Sequence, residues 1–410
     1  MRIVIVTNHF WPEEFRINDV ARGLVARGHR VSVLTGIPNY PGGKFFSGYG
    51  IFKKRRETHQ GIEIRRSPLI PRGSGSGWRL ILNYLSHLLF SCLLAPWCFR
   101  GEYDVIFVFE TSPVTVGFPA LVLRAMKRLP IVFWVQDLWP DTLSATGVIR
   151  SQKVLRGIGA MVRFIYGHCD RVLVQSRAFS KSVEALFPKP ERIVYLPNSA
   201  EEFYRPFPPE EAVAEGALMA AGFRVVFAGN IGVAQDFGTI LDAAEALKHV
   251  SDIQWIIIGD GRRRAWVEEQ RSKRGLEQTF HLLGRHPAEA MPRFFALADA
   301  LLVTLKKEPI FAFTIPSKIQ SYLACGRPIV AALEGEGKRV IEQAGAGFTS
   351  PPEEPQALAA AVLKMYRLPA REREAMGRAG RTYFEREFEP DLLLDRLEGV
   401  LKEVSGEGRR

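Results

Sequence analysis

Two periodicities alternate along nearly the whole chain, and this alternation limits the possible fold more than any other feature. Short runs of β-branched and other apolar residues, such as Ile3–Val6 and Val105–Phe109, are separated by segments with helical spacing, such as Ile17–Ala26 and Val114–Lys127. Such runs between amphipathic helices are typical of parallel strands with crossover helices. The pattern therefore predicts an α/β fold built on doubly wound sheets.

The strand pattern is interrupted once, by the proline-rich stretch FYRPFPPEE at Phe203–Glu211. A chain of 410 residues also exceeds what one hydrophobic core usually supports. We therefore predict two Rossmann-like domains facing a cleft, over residues 1–205 and 206–385, and a C-terminal helix in 386–410 that crosses back to the first domain. The expected strands are Ile3–Val6, Val31–Leu34, Ile62–Arg65, Val105–Phe109, Ile131–Trp134, Val172–Val174 and Ile193–Leu196, then Arg224–Ala228, Ile253–Ile258, Phe280–Leu282, Ala300–Thr304, Ile329–Ala331 and Gly347–Thr349.

Composition excludes several classes of protein. A hydrophobic fraction of 47% with 24% charged residues is ordinary for a globular chain, and the net charge of +11 attracts anions. The basic residues are scattered without a recognised nucleic-acid motif, and no GxGxxG follows the first strand, which argues against nucleic-acid binding and against a simple dehydrogenase. The four cysteines lack metal-ligand spacing, and no secretion signal is visible, so we expect a cytoplasmic protein.

Loops that follow strands of the second domain contain glycines suited to anion binding. In GNIGVAQDFGTI, Gly229 and Gly232 allow close backbone approach, Asn230 lies between them, and a helix is predicted to start near Gln235 with free amides. A phosphate fits such a loop. A tight turn without a ligand is the alternative.

The next strand is followed by GDGRRR, in which Gly259 and Gly261 flank Asp260. The glycines suit a strand-to-helix turn, and Arg263 or Arg264 is positioned to meet a phosphate. Solvated arginines are the alternative reading.

The stretch TIPSKIQSYLACGRPIVAAL gives a more specific signal. Pro316 and Ser317 form a good helix start, with Ser317 able to cap, and Lys318 lies in the first turn. A lysine at this end of a helix is electrostatically unfavourable unless an anion balances it. The stretch therefore predicts an anion site at Lys318.

Taken in order, GNIG, GDG, LLGR at Leu282–Arg285, PSK and Ala-x-Gly-x-Pro resemble the C-terminal half of family 4 retaining glycosyltransferases, which have the two-domain GT-B fold. NHFWPE at Asn8–Glu13, ARGHRVSVLTGIPNYP at Ala26–Pro41 and WVQDLWPD at Trp134–Asp141 resemble its N-terminal half. The variants are most similar to bacterial enzymes that add N-acetylated amino sugars, such as N-acetyl-L-fucosamine, in O-antigen and capsule assembly.

The resemblance implies transfer of a sugar from a nucleotide diphosphate, most commonly UDP, to a lipid-linked or saccharide acceptor, without a cofactor or metal. Loops after strands of the first domain would hold the acceptor. The candidate catalytic residues are Asp137, Lys318 and His9. The candidate donor-binding residues are Gly229, Asn230, Gly232, Gln235, Gly259, Asp260, Gly261, Arg263, Leu283, Arg285, Pro316, Ser317, Lys318 and Ser321, and the candidate acceptor-binding residues are Trp11, Glu13, Arg16, Asn39, Tyr40, Glu110 and Thr111.

Some positions depart from the family pattern. Many members have two glutamates where Phe313 and Ser321 stand, and an Arg and a Lys at the positions of Asn230 and Gln235. The family often has a histidine at the position of Gln136, and glutamine does not exchange protons near neutral pH. Any acid–base or sugar-orienting role then shifts to Asp137 or His9.

Two other functions stay open at this point. A sugar-nucleotide epimerase can share the two-domain fold, although the PSK and AxGxP pattern favours a transferase. The departures from the family pattern also allow a catalytically silent protein that binds a nucleotide sugar or acts as a membrane scaffold.

A segment without charged residues, Leu80–Phe99, is close in length to a membrane-spanning helix. Asn83, His87 and Ser91 form a narrow polar stripe in it, so we expect a helix lying in the membrane interface, at the inner face of the cell membrane. Nearby basic clusters, Lys53–Arg56 and Arg65–Arg66, add attraction to anionic lipid. Burial in the fold or a dimer contact is the alternative.

Overall fold

The computed structural model describes residues 1–73, 77–145 and 149–406, which divide into two compact units. The first unit consists of Met1–Leu196 together with Leu393–Arg410, and the second is Pro197–Leu392. The division falls a few residues before the predicted boundary at 205, and the return to the first unit falls a few residues after the predicted one at 386. Residues 407–410 of the predicted C-terminal helix lie outside the described residues.

The first unit is built on a sheet of eight strands within the described residues, in the order β3-β4-β2-β1-β5-β6-β7-β8. All neighbours are parallel except β3, which runs antiparallel to β4 at the edge. Its elements are β1 (Arg2–Thr7), α1 (Ile17–Ala26), β2 (Arg30–Gly36), β3 (Arg56–His59), β4 (Ile62–Ser67), α2 (Gly77–Cys98), β5 (Val105–Glu110), α3 (Gly117–Lys127), β6 (Ile131–Val135), α4 (Asp141–Ala145), α5 (Gln152–Gly167), β7 (Arg171–Val174), α6 (Arg177–Leu186) and β8 (Ile193–Tyr195).

The second unit has six parallel strands within the described residues, in the order β11-β10-β9-β12-β13-β14. Its elements, with the final helix, are α7 (Val213–Gly216), β9 (Phe223–Ala228), α8 (Phe237–Ala246), β10 (Ile253–Ile258), α9 (Arg264–Lys273), β11 (Phe280–Gly284), α10 (Met291–Ala296), β12 (Ala300–Thr304), α11 (Pro309–Phe313), α12 (Ser317–Ala324), β13 (Ile329–Ala332), α13 (Gly335–Ala344), β14 (Gly347–Ser350), α14 (Pro355–Arg367), α15 (Ala370–Glu387) and α16 (Pro390–Ser405). The α/β prediction is confirmed, and every expected strand is present.

Both faces of the second sheet are buried, which explains why its strands are continuous apolar runs. Val226 and Ile256 pack in one core cluster, while Phe227 and Ile257, one residue further along, pack in the other. Successive side chains of a strand point to opposite faces, so each face needs its own apolar set.

The first sheet also has helices on both faces. Right-handed crossovers place α1 on one face and α2, α3 and α5 on the other, because the chain moves in opposite directions across the sheet. The final helix α16 covers the α1 face, where Leu393, Leu397 and Leu401 are buried in one cluster with Ile17 and Leu24. Burial of each such leucine contributes about 1.5–3 kcal/mol.

The polar stripe of α2 faces the sheet. Asn83 donates from Nδ2 to the carbonyl of Ile70 (2.6 Å), Ser91 donates to Ser67 Oγ (2.8 Å), and His87 Nδ1 lies 2.9 Å from Ser67 Oγ. Burial lowers the pKa of His87 to about 3, so its ring is neutral. The polar stripe is therefore satisfied inside the unit, against the strands and the loop after β4. That the helix lies in the membrane interface stays a prediction.

Candidate active site

Each sheet has a topological switch point, which is the place where the crossover connections turn to opposite sides. Ligands of open parallel sheets bind outside the carboxyl ends of the strands at this point. In the first unit this point lies between β1 and β5, and in the second it lies between β9 and β12. The loops that leave these strands contain most of the predicted site residues.

Lys318 is the central feature of the second switch point. Its Nζ lies 3.6 Å from the centre of the Phe227 ring at the end of β9, and it makes no hydrogen bond or ion pair with any residue that the structure describes. Burial of the ammonium lowers the pKa of Lys318 to about 7. Lys318 is half-buried as a residue, and an ammonium without a counter-charge in such a position would be stabilised by an anion.

The glycine loops bring backbone close to this ammonium. A Cβ on Gly229, which has a φ of +139°, would lie 2.7 Å from Lys318 Cε. A Cβ on Gly259 would lie 1.9 Å from the carbonyl oxygen of Gly229, so the loops after β9 and β10 touch through their main chains. The amide of Ile231 donates to the carbonyl of Asp260 (2.8 Å), which ties the two loops together.

Lys318 is the second residue of α12, so its side chain starts from the N-terminal turn of this helix. Pro316 occupies the position before the helix, and no side chain caps it, so the predicted cap by Ser317 does not form. The reason is that the helix begins at Ser317 itself, one residue too late for its hydroxyl to serve as the cap. The amide of Ile319 donates to the carbonyl of Pro316 (2.9 Å), which leaves the amides of Ser317 and Lys318 as the ones that a ligand could use. Ser321 is buried and donates to the carbonyl of Ser317 (3.2 Å).

Asn230 and Gln235 fold over Gly232. A Cβ on Gly232 would lie 2.5 Å from Asn230 Nδ2 and 2.9 Å from Gln235 Oε1. That Gln235 oxygen is buried and has no hydrogen-bond partner among the described residues. The loop is held from β12, since Thr304 Oγ1 donates to the carbonyl of Gln235 and the Lys306 amide donates to that of Ala234.

The remaining predicted donor residues are less well placed for direct contact. Asp260 is exposed and accepts from the amide of Gly261 (2.8 Å), while the Arg263 guanidinium stacks 3.9 Å over the Trp266 ring. Leu283 packs against the core, and Arg285 is exposed just beyond β11.

At the first switch point, the buried carboxylate of Glu13 is paired with neighbouring groups of the protein. Glu13 Oε2 lies 2.6 Å from His9 Nδ1, and its Oε1 accepts from the amides of Asn39 (2.6 Å) and Tyr40 (2.7 Å). His9 also stacks on Phe15, with ring centres 4.7 Å apart. Glu13 and Asn39 are buried, and Glu13 positions His9 and the loop after β2; their contact with an acceptor stays a prediction.

Glu110 and Asp137 meet where β5 and β6 end. Glu110 is fully buried, and its Oε2 accepts from the amides of Gln136 and Asp137, both at 3.2 Å. Burial, with the nearby charge of Asp137, raises the pKa of Glu110 well above its ordinary value. Asp137 is half-buried, and its Oδ1 accepts from Thr142 Oγ1 (2.6 Å). Glu110 therefore supports the loop that presents Asp137.

Two aromatic residues of the first unit stay accessible. Trp11 is 37% exposed and stacks on His59, with ring centres 4.1 Å apart, and Tyr40 is 41% exposed. Arg16 is half-buried before α1, and Thr111 Oγ1 is buried without a hydrogen-bond partner among the described residues. Exposed rings of this kind are suited to stacking on a sugar or an apolar group.

Two residues that support the site were not singled out from the sequence. The ring of Phe227 contacts the Lys318 ammonium. Tyr322 Oη accepts from the amide of Ala228 (3.2 Å), and this hydrogen bond holds the end of β9 in place. Both residues look like ordinary core positions in the sequence. Among the described residues, no group of three or more His, Cys, Asp or Glu side chains is arranged to hold a metal ion.

The fold is shared with solved structures. The structure of HepE (Alr3699) from Anabaena in complex with UDP superimposes with a TM-score of 0.71 at 18% identity, covering 98% of this chain and all of that chain. At this identity the likeness concerns the fold. Other solved glycosyltransferases of the GT-B fold also cover nearly all of this chain.

Family models match both units. The Glycosyl transferase 4-like domain matches residues 14–199, and Glycosyl transferases group 1 matches residues 222–367. The chain belongs to the GT-B glycosyltransferases. This glycosyltransferase is similar to "Probable glycosyltransferase WbjE" of Pseudomonas aeruginosa, with 27% identity over 78% of this chain and 79% of the relative. It is also similar to "Putative colanic acid biosynthesis glycosyl transferase WcaI" of Escherichia coli K12, with 24% identity over 93% and 96% of the two chains.

Proposed function

We propose that this glycosyltransferase moves an N-acetylated amino sugar from a UDP-linked donor to a lipid-linked or saccharide acceptor, with retention of anomeric configuration, in assembly of a cell-surface polysaccharide such as O-antigen or capsule. The name of WcaI assigns that relative to colanic acid biosynthesis, and HepE was solved with UDP. These relatives support the polysaccharide and the nucleotide. The amino sugar rests on the resemblance of the sequence motifs.

The observation that carries the proposal is the unpartnered ammonium of Lys318 beside the uncapped N-terminus of α12. A diphosphate would supply the missing negative charge to both at once. Glycine at position 229 keeps a side chain out of the space next to this ammonium, and glycine at position 259 allows the second loop to touch the backbone of Gly229. The buried oxygen of Gln235 adds a hydrogen-bond acceptor for a donor group such as a sugar hydroxyl.

In the proposed step, an acceptor hydroxyl oxygen forms a bond to the anomeric carbon while the bond from that carbon to the diphosphate oxygen breaks. The bonding electron pair leaves with UDP, and the hydroxyl proton passes to the departing diphosphate oxygen on the same face. Negative charge grows on the diphosphate as the bond breaks, so Lys318 and the α12 amides stabilise the transition state more than the ground state. The proposal requires no cofactor or metal ion.

The first unit would hold and orient the acceptor and the transferred sugar. Asp137 is presented by a loop that Glu110 fixes, and His9 is oriented by Glu13. In this proposal both orient sugar hydroxyls through hydrogen bonds. Trp11 and Tyr40 offer exposed rings for stacking. We further propose that the enzyme works in the cytoplasm at the inner face of the cell membrane, where a lipid-linked acceptor is accessible.

Calorimetric titration with UDP, GDP, dTDP and their common sugars, with and without a divalent cation, tests the donor. We expect UDP to bind without the cation and Lys318→Ala to weaken its binding by about 10- to 100-fold, the range for a lost charge-assisted contact. Lys364→Ala is the matched control, since Lys364 lies 4.1 Å over the Phe348 ring and outside these loops. Unchanged affinity in Lys318→Ala would refute the assignment of the diphosphate site.

Turnover is tested separately with membrane extract as the source of acceptor. A transferase releases free UDP and leaves labelled sugar on the acceptor, whereas an epimerase retains the intact sugar nucleotide. Binding without either product would show a silent binding protein. Asp137→Asn should lower turnover and leave UDP affinity within about twofold, since this residue is proposed to act on the sugar and not on the nucleotide.

A further inference from the structure

Helix α2 has an outer face made of large apolar side chains. Its polar residues Asn83, His87 and Ser91 are buried against the sheet. Among the described residues, α2 alone is long and apolar enough to cross a membrane by length and composition, and 28% of its most apolar window is buried. The exposed apolar residues are Trp78, Ile81, Leu85, Leu89, Phe90, Leu93 and Trp97, each at least 38% exposed. This is the reverse of a helix that borders water.

The apolar surface continues from α2 onto two neighbouring helices. Met126 of α3 is 59% exposed, and Val154 and Phe164 of α5 are 48% and 52% exposed. A groove of about 920 Å³ runs between the three helices, with Leu88 and Leu121 among the residues in its wall. We call the outer surface of α2, α3 and α5 the apolar face.

The three helices of the apolar face carry charged residues of one sign. The sequences of α2, α3 and α5 contain no Asp or Glu. Their basic residues are Arg79, Arg124, Lys127, Lys153, Arg156 and Arg163, of which Arg124 pairs with Asp170. On the opposite side of the same sheet, α1 and α16 contain Asp19, Asp391, Asp395, Glu398 and Glu403. The absence of acidic residues therefore distinguishes α2, α3 and α5 from the helices α1 and α16.

We propose that the apolar face docks on an anionic lipid bilayer, with α2 lying in the plane of the interface and its outer side chains among the acyl chains. A bilayer of this kind supplies both an apolar layer for the exposed rings and leucines and negative head groups for Arg79, Arg156 and Arg163. A second copy of this chain would present the same basic surface, so a symmetric dimer through this face would bring like charges together.

The polar stripe determines how α2 meets the bilayer. Asn83, His87 and Ser91 make hydrogen bonds to the strand and loop beneath them, and a spanning orientation would break these bonds inside hydrocarbon. The helix therefore lies on the surface and does not span. This inference deepens the proposed function, because it fixes the side of the enzyme that faces a lipid-linked acceptor.

Flotation or sedimentation with vesicles tests the inference. We expect the protein to bind vesicles of phosphatidylcholine with 30% phosphatidylglycerol, a composition of about one anionic lipid in three, and to bind pure phosphatidylcholine much more weakly. The double variant Leu85→Asp/Leu89→Asp should lose at least about tenfold in affinity for the anionic vesicles. Leu218→Asp is the matched control, since Leu218 is 52% exposed in the second unit and Leu85 and Leu89 are each 55% exposed.

A second pair of variants separates the charge contribution. Arg156→Glu/Arg163→Glu should weaken binding to anionic vesicles by at least about 25-fold, at roughly fivefold per lost basic residue, and leave the weak binding to neutral vesicles unchanged. Equal binding of wild type and both double variants would overturn the proposal. Dimerisation of the wild type that Leu85→Asp/Leu89→Asp abolishes would instead assign the apolar face to a second copy.

UDP affinity measured on the same variants keeps the two proposals apart. Each variant should bind UDP like the wild type, since the changes lie in the first unit and the proposed diphosphate site in the second. Loss of vesicle binding with intact UDP binding tests the apolar face alone, and a failure of UDP binding in the wild type would concern only the proposed donor site.

Discussion

The two switch points treat buried charge in opposite ways. At the first, Glu13 is shared between His9 and two backbone amides, so the chain supplies its partners, whereas Glu110 accepts from two amides with one oxygen and keeps the other buried without a hydrogen-bond partner among the described residues. At the second, Lys318 has no counter-charge among the described residues and rests on an aromatic ring. A carboxylate that is paired within the protein holds loops in place, whereas an unpaired ammonium lowers the stability of the fold, and a bound anion would restore that stability.

The largest effect expected from this contrast is at Glu13. Glu13→Ala leaves His9 and the amides of Asn39 and Tyr40 without their buried partner, so the free energy of unfolding should fall by about 3–5 kcal/mol. Chemical denaturation of the variant and the wild type measures this difference in the free energy of unfolding. The neighbouring Glu14 is exposed, and Glu14→Ala should change stability by less than about 0.5 kcal/mol. Equal effects at the two positions would remove the distinction between paired and open sites.

Lys318→Met should raise the free energy of unfolding, which is the opposite of the effect expected at Glu13. The pKa of Lys318 is about 7 in the folded state, below its ordinary value of 10.5, so the unfolded chain binds more protons between these values and stability rises with pH across that window. Without ligand, Lys318→Met should be more stable than the wild type by about 2 kcal/mol at pH 6. The difference should shrink towards pH 10. Denaturation at both pH values tests this, and a destabilised variant at pH 6 would contradict the open-site description.

Glu110→Gln should have the smallest effect. Because the folded pKa of Glu110 is raised, its contribution to stability is present below the unfolded pKa and is lost as pH rises through the folded value. The variant keeps an oxygen for the amides of Gln136 and Asp137, so it should lie within about 1 kcal/mol of the wild type at pH 5 and gain relative to it as pH rises. Parallel pH profiles for the two proteins would show that Glu110 does not titrate as described.

The sequence predicted the strands because buried parallel strands are continuous apolar runs bounded by glycine and proline. It missed β3, whose residues Arg56–His59 are polar and lie at the sheet edge, where no apolar pattern is required. Arg56, the last residue of the basic cluster predicted at Lys53–Arg56, is the first residue of this strand. The GT-B fold followed from motif order, and the structure confirms its two parallel-sheet units.

The site was predicted less completely, because pairing depends on contacts far apart in the chain. The positions of Lys318, Gly229 and Gly259 could be anticipated, since a first-turn lysine and strand-end glycines have local signatures. That Glu13 is occupied by the loop after β2 depends on the register of three segments. The polar stripe of α2 could also be predicted from the sequence. The surface that it faces could not be predicted, because an amphipathic pattern does not tell which face of a helix is buried.

The return of α16 to the first unit bears on how the molecule is made. Leu393, Leu397 and Leu401 fill a core whose other members include Ile3, Ile5 and Val33. During synthesis α1 can cover only part of this face of the sheet, and the rest stays uncovered until the second unit and α16 have been made. The first unit to be translated is thus the last to be completed, and the second unit, whose chain is continuous, can finish folding before it.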